Sequence, residues 1–304
     1  MIKIEPLVSV IITTYKRNDM IGRAIDSVLK QTYKNIEIIV VDDNDPNTEH
    51  RKLTEEKMSQ YTNNVNFKYI KHEKNKNGAA ARNTGIKESS GEIVCFLDDD
   101  DWFVQDKVEK QVKYLLNNSK FNGVYCGWDR AGKVVLPKKE GDLSYELLSG
   151  TNLIYTNTIM MWKRCAINCK GWDERFKRNQ EAAFLLRFFS NGYKIGVVSE
   201  CLVGFDISDR SNVLDPKKNE EQFVFYLNQH KNLIDKLENE SKGIKKSIYS
   251  YRYRGILLYY LKERDVLGAI KVYLKMLIRM PITFNKDIVK YIYSRIRKLE
   301  LYEV

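Results

Sequence analysis

Histidine and cysteine are scarce: three and five in 304 residues. His50, His72 and His230 are scattered. Cys165 and Cys169 stand four apart, but no second Cys or His pair accompanies them. A zinc site of recognisable spacing is therefore excluded. So is a disulfide framework, which points to a reducing compartment, the cytoplasm. Cys95 lies within an apolar run and reads as a buried free thiol. No apolar run approaches the ~20 residues that a membrane span needs. The N-terminus runs straight into a strand-like segment, so no secretory leader is expected. These absences predict a soluble or peripheral protein. Acidic residues are also outnumbered, 40 against 51 Lys and Arg, for a net charge of +11. That excess favours anionic partners: nucleotides, nucleic acid or an anionic membrane surface.

What is present is organised around residues 95–103, CFLDDDDWF. An apolar run feeds directly into Asp98, Asp99, Asp100 and Asp101. Adjacent carboxylates repel one another and are tolerable only if solvated or neutralised by a cation. Hard oxygen donors of this kind suit Mg²⁺ or Mn²⁺. In an open α/β sheet, ligands bind beyond the carboxyl ends of the strands, where this cluster would sit.

Residues 7–15 (LVSVIITTY) are nearly continuously apolar and β-branched, as in a parallel strand buried on both faces. Asn18 or Asp19 can cap the following helix, whose apolar face is Ile21, Ala24, Ile25, Val28 and Leu29. A second strand, 36–41, runs into Asp42, Asp43, Asn44, Asp45 and Pro46. A polar helix over 48–60, a strand over 65–70, a short helix over 79–87 and a strand over 92–97 complete an alternating α/β pattern. The acidic ends of the second and fourth strands then share one crevice. Further on, the spacing predicts a helix from 105, strands at 123–128, 156–162 and 194–199, a lysine-rich loop at 129–141 and a helix at 181–190. Beyond about 209 strand signals vanish. Helices fit 218–237, 243–262, 266–280 and 285–299, with Pro281 breaking the last two apart.

Taken together, VSVIITTYKR, VVDDND, GAAARNTGIK, FLDDDDWF and GWDERFKRNQEAAFLLRF resemble, in order and spacing, the family-2 glycosyltransferases of bacterial surface-polysaccharide type. The resemblance covers roughly residues 7–205. It implies an α/β, GT-A (nucleotide-diphospho-sugar transferase) fold: a Rossmann-like, mostly parallel sheet flanked by helices. Residues 1–210 would form the catalytic domain and 211–304 a helical C-terminal region. The implied activity is an inverting, metal-dependent transfer of sugar from a nucleotide-sugar, in the first place a UDP-sugar, to a glycan or polyprenyl-linked acceptor. The alternatives are a catalytically weak sugar-nucleotide-binding module and a basic nucleic-acid-binding protein. Against the last, the acidic strand ends would repel phosphates, and no nucleic-acid motif is present.

By resemblance, Asp100 ligates Mn²⁺ or Mg²⁺, and Asp98 or Asp99 meets the donor ribose or sugar. Asp101 is expected to cap the next helix. Thr13, Thr14, Tyr15 and Arg17 would hold the nucleotide, with Asp43, flanked by Asp42, accepting from the uracil imide. Arg82 offers a planar fork to the base or a phosphate. The general base falls at Glu181, beside Gln180, with Asp173 the next candidate. Trp172 and Asp173 suit a sugar, one stacking on its face and the other accepting from its hydroxyls. The C-terminal region is rich in Lys, Arg and Tyr. Its cations, Arg252, Arg254, Lys275 and Arg279 among them, could hold the chain electrostatically at the inner face of the cell membrane.

Overall fold

The structure, a computed structural model, describes residues 5–208 and 214–300. Contacts divide the chain into two compact units. One holds Met1–Leu143 and Ile154–Arg210, the other Ser144–Leu153 and Ser211–Val304. The expected boundary between 210 and 211 lies outside the described residues.

In chain order, the first unit begins with strand β1 (Val8–Thr14), helix α1 (Ile21–Leu29), β2 (Ile36–Asp42), α2 (Glu49–Met58), β3 (Phe67–Lys71), α3 (Gly78–Glu88) and β4 (Ile93–Asp98). There follow β5 (Trp102–Phe103), α4 (Lys107–Asn117), β6 (Gly123–Arg130) and β7 (Lys133–Val135). Helix α5 (Ser144–Ser149) belongs to the second unit. Then come a 3-10 turn at Thr156–Thr158, β8 (Met160–Trp162), α6 (Lys163–Asn168), α7 (Gln180–Ser190) and β9 (Ile195–Phe205). The second unit continues with α8 (Pro216–Gln229), α9 (Lys231–Glu240), α10 (Ile244–Lys262), α11 (Val266–Arg279) and α12 (Pro281–Glu300).

Among the described residues one sheet runs β3-β2-β1-β4-β8-β6-β9-β5, with β7 on β6. Strands β3, β2, β1 and β4 are mutually parallel. β8 joins β4 antiparallel, so the sheet is mixed beyond that point. The parallel half has the sequence character its position demands. β1, VSVIITT, has both faces covered and all but Thr13 buried. Ile21, Ala24, Ile25 and Val28 of α1 pack with Val8, Val10 and Ile12 on one face of it.

On the other face α3 lies unusually close. A Cβ on Gly85 would stand 2.3 Å from Ile11 Cγ2, so only glycine permits this approach. The close packing sets the height of α3 against the sheet and carries Arg82 to the strand ends. Asn77 starts the helix by accepting from the amides of Ala79 (2.9 Å) and Ala80 (3.2 Å).

Several local expectations are corrected. Neither Asn18 nor Asp19 caps α1; the N-cap residue is Met20, without a side-chain cap bond. Asp101 does not cap the next helix, because β5 intervenes and α4 starts after Asp106. The lysine-rich loop contains β7. The expected strand at 156–162 is a 3-10 turn followed by three paired residues. The helix expected over 218–237 is two helices that meet at His230.

Candidate active site

Register brings the polar strand ends level. Thr14 pairs with Asp42, and Thr13 with Asp98, so β1, β2 and β4 end at one edge. This is the carboxyl edge, where ligands of such sheets bind. The Thr14 side chain is buried, Thr13 is half-buried and Tyr15 is 40% exposed. Some of the local backbone is already engaged: Asp43 donates to the carbonyl of Thr14 (2.9 Å), and Tyr15 to Asp99 Oδ2 (3.2 Å).

The four aspartates differ in burial and in partners, with Asp99 and Asp100 sharing Arg17. Asp98, with its side chain 31% exposed, accepts from Arg82 Nη2 at 2.6 Å. Asp99 turns inward and accepts from Tyr15 and from Arg17 Nη1 (3.2 Å). Asp100 stands at the rim, 2.8 Å from the same Arg17 nitrogen. Asp101 turns inward, accepting from the amide of Asp206 (2.9 Å) and from Asn157 Nδ2. Burial pushes the Asp99 carboxyl up to about 7 and Asp101 up to about 8. Burial and neighbouring Asp98 raise Asp100 as well. Desolvation and mutual repulsion thus disfavour the anionic forms at this strand end.

Asp42 and Asp43 are framework residues. Asp42 is fully buried. It accepts from Asn44 N (2.9 Å), Asn44 Nδ2 (2.8 Å) and Tyr69 Oη, and pairs with Arg51 Nε at 3.1 Å. Asp43 staples the loop before α3. Its Oδ1 meets His72 Nδ1 (2.7 Å) and Lys76 N (2.8 Å), and its Oδ2 meets Asn75 Nδ2 and Asn77 N, both at 2.9 Å. A carboxylate has about four lone-pair sites, so these donors saturate it. The expected uracil contact would have to displace one.

Arg82 joins three elements. Beyond Asp98, its Nη1 donates to Gln180 Oε1 at 2.9 Å, and its guanidinium lies 4.9 Å from the Trp172 ring centre. Trp172 is 2% exposed, stacked on Phe184 and edge-on to Phe96, so it is core and offers no open face to a sugar. Asn83 holds the Trp172 backbone from both sides, at 2.6 Å and 2.9 Å. Gly171, at φ +63°, leaves room for that amide: a Cβ there would meet Asn83 Oδ1 at 2.3 Å.

Asp173 is gripped by Arg175 through Nε (2.9 Å) and Nη2 (2.7 Å), which holds its carboxyl below the usual range. It is a weak proton acceptor and a poor candidate base. Glu181, in the first turn of α7, is the opposite case. Desolvation pushes its carboxyl up, against the pull of Arg82 and Arg178 and with the push of Asp98. Its neighbour Gln180 is hydrogen-bonded to Arg82, which also holds Asp98 at the end of β4.

Some residues here went unrecognised in the sequence. Asn157 is fully buried and bridges the acidic run: its Oδ1 accepts from Asp98 N (2.9 Å) while its Nδ2 reaches Asp101. Asp206 pairs with Arg23 at 2.7 Å, and Arg23 also reaches the Asp100 carbonyl. Trp128, Tyr155 and Phe205 pack edge to face, with Arg130 over the latter two rings. Burial raises the Tyr155 hydroxyl, with Arg130 opposing and Glu181 adding to the shift. A polar residue inside an apolar stretch, as in TNT at 156–158, was the available signal for Asn157.

The donor set fits a divalent cation shared with a ligand. Among the described residues no group of three or more His, Cys, Asp or Glu side chains closes into a metal cage. Mg²⁺ commonly takes only one or two carboxylates and completes its shell with water and substrate phosphates. Asp100 at the rim and Asp98 beside it are of that type.

Sequence and fold comparisons agree with this geometry. The family model "Glycosyl transferase family 2" matches residues 9–176. The amylovoran biosynthesis glycosyltransferase AmsB of Erwinia amylovora is 27% identical over 235 residues, covering 73% of this chain and 77% of that protein. WfgD of Escherichia coli, a UDP-Glc:alpha-D-GlcNAc-diphosphoundecaprenol beta-1,3-glucosyltransferase, is 35% identical over 139 residues, covering 44% and 52%. Among solved structures, Staphylococcus aureus TarS 1-349 in complex with UDP-GlcNAc superposes with a TM-score of 0.58 at 16% identity, covering 90% of this chain and 92% of that one. The matched segment spans more than half of the chain and contains the parallel strands β1, β2 and β4 with their acidic edge: this protein belongs to glycosyl transferase family 2.

Proposed function

We propose that the chain transfers a sugar from a UDP-sugar, with inversion, to a glycan or polyprenyl-linked acceptor during surface-polysaccharide assembly. The observation that carries this reading is that one guanidinium, Arg82, joins the carboxylate at the end of β4 to the first turn of α7, where Glu181 stands. Asp98 is paired with Arg82, while desolvation pushes the Glu181 carboxyl above the ordinary glutamate value, the direction a general base needs. The names of AmsB and WfgD support the polysaccharide and lipid-linked parts, and the TarS complex supports a uridine donor. Residues 1–143 and 154–210 carry the catalysis; the expected division at 210 is corrected in that Ser144–Leu153, with α5, belongs to the helical unit of the C-terminal region.

In this mechanism the nucleotide lies across the ends of β1 and β2, against Thr13, Thr14 and Tyr15, with the diphosphate toward Arg17. Arg82 fixes Asp98 for the donor ribose or sugar. Glu181 accepts the proton of the acceptor hydroxyl as its oxygen bonds to the anomeric carbon. The bond to the diphosphate oxygen breaks with its electron pair, and UDP leaves. Mn²⁺ or Mg²⁺, held by Asp100 and shared with the diphosphate, would supply neutralising charge for the leaving group. The Arg17 guanidinium stands at the same rim and needs no reorganisation to do part of that work. Tyr155, Trp128 and Phe205 form the apolar flank of the acceptor side.

The test is a donor screen. UDP-hexoses, UDP-N-acetylhexosamines and GDP-mannose are incubated with the protein and Mn²⁺ or Mg²⁺, and nucleotide release is followed. Release from a UDP-sugar, stimulated by acceptor, is the expected result. Tight UDP binding without turnover of any donor would make the chain a binding module.

A further inference from the structure

The last two helices turn aliphatic side chains away from their own core. In α11 the inward positions are Ala269, Val272 and Met276; the outward ones are Leu267, Ile270, Leu274 and Ile278, between 48% and 84% exposed. In α12 Phe284 is buried, while Ile282, Val289, Ile292 and Ile296 are 49% to 70% exposed. The 3.6-residue period places each outward set on a single face. Exposed aliphatics scattered singly need no explanation, but two consecutive rows of them mark an interaction surface.

Charge says what covers it. Lys271 borders the apolar row of α11, a helix without Asp or Glu that ends on the exposed Arg279. Lys286, Lys290 and Arg297 flank that of α12, where Asp287 is turned inward and paired with Arg254. A second copy of the chain would bring cationic rim against cationic rim. An anionic lipid surface satisfies both parts of the pattern. Among the described residues no helix is long and apolar enough to cross a membrane, so such helices would lie in the interface.

We infer that α11 and α12 dock the protein on an anionic bilayer by burying these two aliphatic rows, with the cations as rim. Its purpose rests on the lipid-linked acceptor proposed above; its physical basis does not. It also alters the expectation drawn from charge alone. Arg252 donates to the Leu148 carbonyl at 2.6 Å, Arg254 holds Asp287, and Lys275 pairs with Glu220 at 3.2 Å. These cations serve the unit's own packing. Attachment through apolar burial therefore persists in part when salt screens the rim.

The full chain is floated with vesicles of phosphatidylglycerol and phosphatidylcholine in equal parts, at low salt and at about 0.5 M salt, where the Debye length is only a few ångströms. The parent should bind in both, more weakly at high salt. The paired substitution Leu274→Glu, Ile278→Glu should weaken binding by roughly 100-fold. Its melting temperature and its UDP release from a soluble donor should stay unchanged. Those two readouts separate failure of this inference from failure of the transferase reading. Equal binding of variant and parent would overturn it, as would complete loss of parent binding at high salt. A parent that floats in neither condition, or is a dimer that the substitutions dissociate, would assign the face to another partner and also overturn it.

Discussion

Arg82 and Asp98 meet at 2.6 Å, joining the helix after β3 to the end of β4, and the other arm of the same guanidinium reaches Gln180 at 2.9 Å. One planar cation therefore sets the spacing between the donor-side carboxylate and the helix that carries Glu181. Lysine keeps the charge but cannot bridge two acceptors from one rigid fork. Arg82→Lys should leave the fold intact and lower kcat by about 10- to 100-fold, the loss of one or two charge-assisted contacts. Steady-state kinetics beside a thermal melt checks this. A variant with unchanged kcat would show that the bridge does not position the site.

Asp100 stands at the rim, while Asp99 and Asp101 are turned inward. Asp100→Asn keeps the shape and removes the hard anionic donor. Turnover should fall by at least about 100-fold, and the enhancement of UDP binding by Mn²⁺ should disappear in calorimetry. Full activity of the parent in excess EDTA would rule out the metal-dependent route.

Asp43 has a structural reading that its motif did not suggest. Asp43→Ala leaves the donors of His72, Asn75, Lys76 and Asn77 without their acceptor. Stability should drop by about 1–3 kcal/mol, the cost of losing a charged acceptor shared by one buried donor, His72, and three more exposed ones. Urea unfolding measures it, and an unchanged midpoint would show that the loop holds without the staple.

These cases show what was legible. β1, β2 and β4 were readable because strands buried on both faces are written as unbroken β-branched runs, and their acidic ends follow at once in the chain. The way the four aspartates divide was not readable. It depends on which donors come from afar: Arg17, Arg82, Asn157 and the Asp206 amide. The same applies to Trp172, whose burial depends on Phe96 and Phe184. Asp173 differs, since its partner is two residues away in sequence, but DER alone does not say that the arginine folds back. Helices α5 and α6, of six residues each, are too short for a 3.6-residue period to register. β9 runs on to Phe205, past the expected end at 199, and its register to β6 shifts near Gly127, an irregularity that breaks the alternation in the sequence.

Glu181 tests the catalytic assignment and its cost together. Desolvation makes its carboxyl harder to ionise in the folded chain than in the unfolded one, with Asp98 adding to the effect and Arg82 and Arg178 opposing it. The folded value lies above the ordinary glutamate value of 4.5. Well below that value both states hold the proton, and the group is neutral to stability. As pH rises through 4.5 the unfolded chain releases its proton first, and folding loses stability until the folded group also ionises. At neutral pH the folded state therefore carries a burden that glutamine removes. Glu181→Gln should melt higher than the parent at pH 8, and the gap should close toward pH 4. Its turnover should fall by roughly 10²–10⁴-fold, because an amide cannot accept the acceptor's proton, while UDP affinity stays nearly intact. In the parent, kcat should fall on the acid side with an apparent pKa above 4.5, and that limb should vanish in the variant. Asp173→Asn is the control: with its carboxylate already committed to Arg175, it should change kcat less than about threefold, well below the usual effect of a lost base. If the two variants exchange these outcomes, Asp173 is the base and Glu181 a half-buried glutamate at a helix start.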